Sequence, residues 1–482
     1  MYFEKILCVA ALFVSLYIVL KKPQSKIYYS IFLFIPALLL NGVFEGFRWQ
    51  MFGLYIFLAF LILKYIKYLF TKRKDTTVEI NFRYPVIHLC YIILSIILVW
   101  LFAVNKIPEP SGEYKVGTLT YDLIDKNRKE IYGDRKGQKR KIRLQIWYPS
   151  DSIVGGAMVP WKQDGKVIAQ AIPRFMGLPG FLYNHTLLVK SNSFIGLKLS
   201  KKKKKFPIVL ISHGWIGFRN LHTDLAEMLA SHGYIAISID HTYGAIATVF
   251  QNGKIARRDP MALPKRKVTP DFLRYANILV KTFSLDSKLV LNHIEKLASG
   301  EIVDSSMDLD KSIDEKKISL FAHRIKISSI GGVGHSTGGG ALVRLAIVDK
   351  RLKAVFGMDP WIEPINSNIL VRGLKVPAVF LRSKQWEKEF NNKNLAFLVK
   401  SIGIIPEIYQ INETKHQDFS MLYMYEPIID ILGFLGELDS KRNAKIQQDF
   451  VLQFFENNLK KRKKTSMSYF KKKYKEVIDV KF

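Results

Sequence analysis

The residues best suited to chemistry lie in the segment Gly-His-Ser-Thr-Gly at residues 334–338. An apolar run near residues 325–333 precedes it and a run near residues 341–348 follows it, so the pattern predicts a strand, a sharp turn and a helix. Such a turn exposes the Ser336 hydroxyl at a helix N-terminus, where a developing negative charge is favoured. Glycines two residues before and after the serine avoid collisions with the neighbouring strand and helix. The segment therefore predicts a nucleophilic serine.

A serine in this setting needs an acid and a histidine base that follow it in the chain. His416 is the only one of the ten histidines in that part of the sequence. Asp359 directly follows the apolar run at residues 354–358, whereas Asp349 precedes that run and Asp418 nearly adjoins the histidine. We expect the aspartate to orient the histidine, the histidine to remove the hydroxyl proton, and the serine to attack an acyl carbon. The alternatives are a turn aspartate before proline and an exposed loop histidine.

Acyl transfer also requires backbone N–H groups that stabilise the developing oxyanion. The apolar residues 206–211 predict a strand that runs into Ser-His-Gly-Trp at residues 212–215. A strand followed by His-Gly is a usual position for one of these donors. We therefore assign the oxyanion hole to the backbone amides of Trp215 and Thr337, and a structural role to His213.

The elements that must position these residues alternate between strands and helices after residue 104, which is typical of a mostly parallel sheet covered on both faces. An opening hairpin is predicted at residues 114–123 and 141–148. Further strands are predicted at residues 206–211, 234–240, 325–333, 354–358 and 404–411, and helices at residues 221–229, 271–297, 341–348 and 444–459.

These segments resemble a known family, the platelet-activating factor acetylhydrolases, calcium-independent esterases also called group VII phospholipases A2. The resemblance spans roughly residues 113–460 and rests on residues 147–149, 160–161, 212–219, 229–234, 240–241, 332–340, 358–361 and 416–419. It implies an α/β-hydrolase fold with a Ser-Asp-His triad, which falls on Ser336, Asp359 and His416. It also implies cleavage of short or oxidised acyl chains from the sn-2 position of phospholipids.

The nucleophile segment departs from the family pattern in two ways. Thr337 stands where the animal enzymes tend to carry an aromatic residue, and residues 339–340 are both glycine. Related bacterial polyester hydrolases and cutinases also have a small, glycine-rich turn, so the departures bear on the substrate more than on the chemistry. We expect Phe218, Trp361 and Phe419 to contribute to an apolar acyl pocket.

Two further segments could shape access to the site. Residues 159–199 contain the apolar run 175–182, and residues 252–269 are rich in proline and basic residues. Loops at the carboxyl end of the sheet carry specificity in open α/β folds. The alternative for residues 175–182 is packing on the core.

The first 104 residues are a separate, apolar region. Four segments approach the ~20 residues that a helix needs to cross a bilayer: residues 2–20, 27–44, 51–70 and 84–104. Pro36 interrupts the second, for which a re-entrant hairpin is the alternative. The first lacks a cleavage site followed by mature polar sequence, which argues against a signal peptide. We predict an all-α transmembrane region of about four helices at residues 1–104, followed by a catalytic domain and basic tail at residues 105–482.

Basic residues beside the spans indicate the orientation. The first link carries Lys21, Lys22 and Lys26, the third carries Lys72, Arg73, Lys74 and Arg83, and the second carries Arg48 offset by Glu45. Both basic links are expected on the cytoplasmic side, so that both termini face outward. We expect an integral protein of the cell membrane with an extracytoplasmic catalytic domain.

The chain carries 73 basic and 41 acidic side chains, a net charge of +32. This excess is typical of a protein that faces a polyanion, either nucleic acid or an anionic membrane surface. The sequence has no zinc-finger spacing, aromatic RNA-binding signature or phosphate-binding glycine loop, which argues against nucleic acid. The expected partners are a lipid or small ester substrate and the bilayer with its anionic head groups. The lysine runs at residues 201–205 and 460–464 are more typical of solvated loop charge.

Cysteine and metal chemistry play no part in the expected mechanism. The two cysteines, Cys8 and Cys90, lie in predicted spans, so the catalytic domain can form no disulfide. No metal-ligand constellation is visible, and for the pair Asp240-His241 a supporting or core role is the better interpretation. We expect neither cofactor nor metal.

The expected function is a membrane-anchored serine carboxylic ester hydrolase that acts through an acyl-serine intermediate. One alternative is a general carboxylesterase or polyester hydrolase of the same fold. The other is a non-catalytic membrane receptor or scaffold on this fold.

Overall fold

The computed structural model describes residues 1–20, 30–71, 85–301, 307–309, 318–460 and 465–482. Within these residues, four N-terminal helices precede a twelve-stranded mixed sheet with helices on both faces. The strands are β1 (Lys115–Lys129), β2 (Lys139–Ser150), β3 (Ala157–Pro160), β4 (Lys190–Ile195), β5 (Phe206–Ser212), β6 (Ile235–Asp240), β7 (Ala247–Val249), β8 (Ile255–Arg257), β9 (Met307–Leu309), β10 (Ile325–His335), β11 (Ala354–Met358), β12 (Ala378–Ser383), β13 (Glu407–Ile411) and β14 (Val477–Asp479). The helices are α1 (Tyr2–Leu20), α2 (Ser30–Phe44), α3 (Phe52–Thr71), α4 (Pro85–Leu101), α5 (Lys166–Phe175), α6 (Thr223–Ser231), α7 (Phe272–Ser299), α8 (Ser336–Val348), α9 (Ser367–Leu370), α10 (Asn391–Val399), α11 (Ile428–Ile431), α12 (Ser440–Leu459) and α13 (Met467–Lys473).

The large sheet has the strand order β14-β13-β12-β11-β10-β5-β6-β2-β1-β4-β3, with β9 paired to β1. The strands from β13 to β6 run parallel, and β2 joins β6 antiparallel. Every residue of β5 is buried because both faces are covered, as in other parallel sheets. Ile208 and Leu210 pack in the cluster that contains α7 and α8, whereas Val209 and Ile211 pack in the cluster that contains α6 and α12. The predicted α/β class is confirmed.

Most predicted elements are present, with shifted boundaries. The opening hairpin pairs β1 with β2 as expected. Helix α8 begins at Ser336 rather than near residue 341, although its first turns contain three glycines. Strand β13 begins at Glu407 rather than at residue 404, and the sequence pattern did not indicate β12. Tertiary packing therefore overrides weak helix propensity at the start of α8.

The four N-terminal helices differ in length. By length and composition, the segments Tyr2–Leu20 and Trp49–Lys67 could cross a membrane, whereas α2 and α4 are shorter apolar helices of 15 and 17 residues. The expectation of four full spans thus has direct support at two of them. The basic links at residues 21–29 and 72–84, and residues 461–464 of the second lysine run, lie outside the described residues.

One end of the helical bundle is held together by polar contacts. The Glu45 carboxylate accepts hydrogen bonds from the N–H groups of Phe3 and Glu4 at 3.0 and 2.9 Å. The Arg48 guanidinium lies 3.2 Å from the Glu4 carboxylate. The start of α1, the end of α2 and the start of α3 therefore meet at this end.

The same end packs against the sheet domain. The ring of Trp49 contacts Phe102 and Phe181, with centroid distances of 5.2 and 5.4 Å. Phe102 and Ile107 are buried in an apolar cluster that also contains residues of the sheet domain. The Asn105 amide donates to the Glu426 carbonyl at 2.9 Å. Residues on both sides of the predicted domain boundary, between residues 104 and 105, therefore contact the sheet domain. The boundary itself stays a prediction.

Candidate active site

Ser336 lies at the junction of β10 and α8. Its backbone φ of +53° is in the left-handed region, which residues with side chains rarely adopt. A Cβ on Gly334 would lie 2.6 Å from the Gly338 backbone, and a Cβ on Gly338 would overlap the carbonyl oxygen of Ser212 in β5. The two glycines are therefore required for the turn that places the serine at the N-terminus of α8.

Gly339 and Gly340, the next two glycines, pack closely against the loop that follows β11. A Cβ on Gly340 would overlap the Trp361 carbonyl oxygen, and a Cβ on Gly339 would lie 2.8 Å from the Pro360 Cα. The Trp361 N–H donates to the Ser336 carbonyl at 2.9 Å. The glycine run thus lets the loop that carries Asp359 rest directly on the turn that carries the serine.

Asp359 follows β11 and is fully buried. Its Oδ1 accepts from the Ser383 N–H at 2.6 Å, and its Oδ2 lies 2.9 Å from Nδ1 of His416. The Asp359 N–H also donates to the Leu381 carbonyl at 2.7 Å. The end of β12 therefore sets the direction in which the carboxylate faces the imidazole.

His416 begins the short 3₁₀ turn His416–Phe419 after β13. Its ring stacks on the indole of Trp386, with centroids 4.2 Å apart and planes 5° from parallel. Its backbone N–H donates to the Gln385 side chain at 2.8 Å. Sequence reasoning missed Trp386, which follows the strand that the pattern did not indicate.

The two aspartates set aside as catalytic acids have other partners. Asp418 accepts hydrogen bonds from the N–H groups of Lys415 and Gly436 at 2.7 and 2.9 Å, and so holds the loop that carries the imidazole. Asp349 forms an ion pair with Arg351 at 2.6 Å.

A second histidine lies beside His416. The ring of His335 is centred 4.6 Å from that of His416, and its Nε2 lies 3.1 Å from the His416 carbonyl oxygen. Burial, followed by the neighbouring imidazole of His416, holds the pKa of His335 well below its usual range. His335 is therefore neutral and donates Nε2–H to that carbonyl, whereas it is His416 whose Nδ1 faces the Asp359 carboxylate.

The loop after β5 is packed against the serine. A Cβ on Gly214 would lie 2.9 Å from the Ser336 Cβ. The Gly214 carbonyl oxygen lies 2.7 Å from His213 Nδ1 and accepts from the Gly217 N–H at 3.0 Å. In a trans peptide the C=O and N–H point in opposite directions, so these contacts turn the Trp215 N–H away from His213. Thr337 is in the first turn of α8, where N–H groups lack intrahelical acceptors.

A buried network of hydrogen bonds stabilises the end of β5, from which this loop begins. His241 Nε2 lies 2.9 Å from the Ser212 hydroxyl, and His241 Nδ1 lies 3.0 Å from the Asp286 carboxylate. Burial alone would raise the pKa of Asp286, but Arg140 and Arg128 outweigh it and hold the pKa well below its usual range. The carboxylate therefore stays charged and fixes the tautomer of His241, which agrees with the supporting role expected for that residue.

Ser336 and His416 lie on the wall of one cavity of about 280 Å³. Its lining is mostly apolar and includes Ile172, Phe175, Tyr183, Phe218 and Ile246. Among the described residues, no hydrogen bond joins the serine to the histidine, and catalytic hydrogen bonds are often long before substrate binds. The cavity brings together the serine, the histidine and the loop that carries Trp215.

Two residues expected in the pocket lie elsewhere. Trp361 packs against Phe272 with a centroid distance of 6.0 Å, and its indole N–H donates to Glu363 at 3.1 Å. Phe419 is fully buried in the cluster between the sheet and α12. Both adjoin catalytic candidates in sequence, but packing turns their side chains away from the cavity. Phe218 does line it.

Comparisons with known proteins identify the family of this chain. A family model described as platelet-activating factor acetylhydrolase, isoform II, matches residues 101–474. The platelet-activating factor acetylhydrolase of Bos taurus is 23% identical over 377 residues, which cover 74% of this chain and 78% of the relative. That of Gallus gallus is 21% identical over 339 residues, which cover 66% of this chain and 78% of the relative.

A solved structure shares the fold. The ferulic acid esterase from Streptomyces cinnamoneus superposes with a TM-score of 0.58 and 20% identity, over 79% of this chain and 100% of that chain. The family match covers most of the present sequence and includes every residue of the site described above. The chain therefore belongs to the platelet-activating factor acetylhydrolase, isoform II, family and is an ester hydrolase.

Proposed function

We propose that this protein is a membrane-anchored serine carboxylic ester hydrolase that releases short or oxidised sn-2 acyl chains from phospholipids. The observation that carries the proposal is the 2.9 Å contact between the buried Asp359 carboxylate and His416 Nδ1, at the cavity that Ser336 also lines. The name of the animal relatives supports an acetyl-bearing lipid ester as the substrate.

In the proposed reaction, the Asp359 carboxylate accepts a hydrogen bond from Nδ1–H of His416, which leaves Nε2 unprotonated and free to act as a base. Nε2 takes the hydroxyl proton while the Ser336 oxygen bonds to the ester carbonyl carbon. The carbonyl oxygen becomes an oxyanion, which accepts hydrogen bonds from the Trp215 and Thr337 N–H groups. The imidazolium then protonates the departing glycerol oxygen as the C–O bond breaks. Water cleaves the acyl-serine by the same route and releases a carboxylic acid.

The shape of the cavity supports a small acyl group. Its volume of about 280 Å³ falls just below the ~300–1,000 Å³ common for small-molecule sites. Phe218 and Ile246 contribute apolar surface, which suits an acyl chain better than a polar leaving group. We therefore place the acyl group inside the cavity and the rest of the lipid at its mouth.

The N-terminal bundle supports membrane anchoring. Its interior buries Leu7 and Phe34, while Phe13 and Phe32 are 69% and 63% exposed on its outer surface. Helices that are apolar on every side are typical of a lipid environment. The helix ends that lead into the basic links are opposite the end that holds the sheet domain. The positive-inside rule then supports an extracytoplasmic catalytic domain.

The test is hydrolysis of phospholipids that differ only in their sn-2 chain, from acetyl to palmitoyl. The full chain is used because Trp49 and Phe102 pack against the sheet domain. We expect cleavage confined to the short chains and lost in Ser336→Ala. Cleavage of p-nitrophenyl butyrate but of no phospholipid would favour a general carboxylesterase. Failure on all esters, with no labelling by a fluorophosphonate, would favour a non-catalytic receptor.

A further inference from the structure

One basic side chain at the mouth of the cavity has a position that the proposed reaction does not yet use. Arg258 follows β8, in the hairpin formed by β7 and β8. Its guanidinium carbon lies 4.7 Å from the ring centroid of Phe175, and its backbone N–H donates to the Ile246 carbonyl at 3.2 Å. Phe175 and Ile246 both line the cavity that contains Ser336. Arg258 is therefore held at the rim of that cavity by one side-chain contact and one backbone contact.

The charge of Arg258 is not neutralised within the part of the chain that the structure describes, where it forms no ion pair. The adjacent carboxylate, Asp259, is engaged elsewhere, because it accepts from the N–H groups of Gly133 and Met261, both at 2.8 Å. Arg266, in the same basic segment, is by contrast paired with a glutamate, Glu363. Among the described residues, the rim thus presents a half-buried arginine without an acidic partner.

A guanidinium held over the face of an aromatic ring by a cation–π contact still has N–H donors available for a planar or tetrahedral anion. Its fork of N–H donors matches phosphate oxygens, and the restricted side chain loses little further freedom when it binds. In a glycerophospholipid, only a few bonds separate the sn-2 ester from the phosphate. In the proposed orientation, with the acyl group inside the cavity, the phosphate lies on the side of the rim, where Arg258 contacts Phe175.

We infer that Arg258 binds the phosphate of the lipid whose ester is cleaved, and so makes the enzyme selective for phosphate-bearing glycerolipids over neutral esters. This inference rests on the proposed function, which it extends by naming a specificity-determining residue. The residue acts on substrate binding and orientation and takes no part in proton transfer.

The experiment compares two monomeric substrates with identical short acyl chains, a phosphatidylcholine and a diacylglycerol. In the Arg258→Gln variant of the full chain, kcat/KM for the phosphatidylcholine is expected to fall by about 10- to 100-fold, the range for a lost charge-assisted hydrogen bond. The value for the diacylglycerol is expected to change by less than about twofold, which also shows that the variant is folded. Arg258→Lys should recover part of the loss, since it keeps the charge without the fork.

Arg257→Gln is the matched control, because Arg257 is the exposed basic neighbour on β8. It should leave the ratio of the two activities unchanged. Equal losses on both substrates, or no loss on either, in Arg258→Gln would overturn the inference while leaving the proposed function intact. A wild-type enzyme that cleaves only the diacylglycerol would instead refute the phospholipid substrate itself. Monomeric substrates separate recognition of the substrate phosphate from adsorption of the protein to an anionic bilayer.

Discussion

Replacing His213 by leucine tests whether that side chain orients one donor of the proposed oxyanion hole. Burial, and then the nearby His241, hold the pKa of His213 well below its usual range, so its ring is neutral. His213 Nε2 faces the His241 backbone N–H at 3.4 Å, which leaves the ring proton on Nδ1, 2.7 Å from the Gly214 carbonyl oxygen. Without the imidazole, that carbonyl keeps the Gly217 N–H as its donor, and the peptide that carries the Trp215 N–H is less constrained.

The size of the effect has two limits. A buried hydrogen bond contributes about 0.5–1.5 kcal/mol, so the loss of this one bond sets the lower limit of the fall in kcat at a few-fold. If the peptide turns completely, one oxyanion donor is lost, which costs about 10²–10³ in kcat. We expect a fall in kcat of about 10- to 100-fold for p-nitrophenyl butyrate. KM should stay within about twofold, because the donor acts mainly on the transition state.

The assay includes a rescue and a matched control. In His213→Asn, the side-chain amide can donate to the same carbonyl, so kcat should recover in part. His293→Asn is the control, because it removes a buried histidine that is not part of the site and is hydrogen-bonded to the Tyr121 hydroxyl at 2.8 Å. Its stability should fall without a loss of kcat. A folded His213→Leu variant with wild-type kcat would refute the reasoning. Equal losses in the leucine and asparagine variants would also refute it, since they would show that the ring acts by packing.

Three further predictions concern the packing around the turn that carries Ser336, a buried histidine and the membrane topology. Gly340→Ala should lower the free energy of unfolding by about 1–3 kcal/mol or more, because the added methyl would overlap the Trp361 carbonyl, and kcat should fall as well. Gly332→Ala is the milder control in thermal melts, since its Cβ would meet the Leu342 methyls at 3.2 Å. Burial lowers the pKa of His293 from its usual value of 6.5 to about 4. Between pH 6.5 and pH 4 this histidine is therefore protonated in the unfolded chain but neutral in the folded protein, so stability falls as the pH falls through this range. By pH 5 the contribution amounts to about 2 kcal/mol, and chemical denaturation of His293→Leu should show a correspondingly flatter pH dependence, whereas an unchanged slope would count against it. For topology, Ser440→Cys in a background without Cys8 and Cys90 should react with an impermeant thiol reagent in intact cells, and protection until lysis would reverse the orientation.

Chain order made the candidate triad predictable from the sequence. His416 is the only histidine after the serine, and Asp359 directly follows the apolar run that forms β11. The steric need for Gly334 and Gly338 was also evident, since both positions are set by the local turn. The parallel part of the sheet followed from unbroken apolar runs such as β5, whose residues are all buried.

The features that escaped prediction depend on contacts between distant parts of the chain. Trp386 stacks on His416 because β12 and β13 are neighbours, and the pattern did not indicate β12. Trp361 and Phe419 adjoin catalytic candidates but face the core, because packing rather than sequence proximity sets side-chain direction. Arg258 lies beside the cavity because it contacts Phe175, which belongs to α5, and no sequence pattern links the two residues.

The central claim is that Ser336 is an activated nucleophile, and labelling of the full chain with a fluorophosphonate tests it most directly. Mass spectrometry of the labelled protein should locate the phosphonyl adduct on Ser336. The adduct should be absent from Ser336→Ala, and its formation should be slowed by at least about 100-fold in His416→Ala, because triad members act as a unit. An adduct on a different residue, or undiminished labelling of Ser336→Ala, would contradict the account.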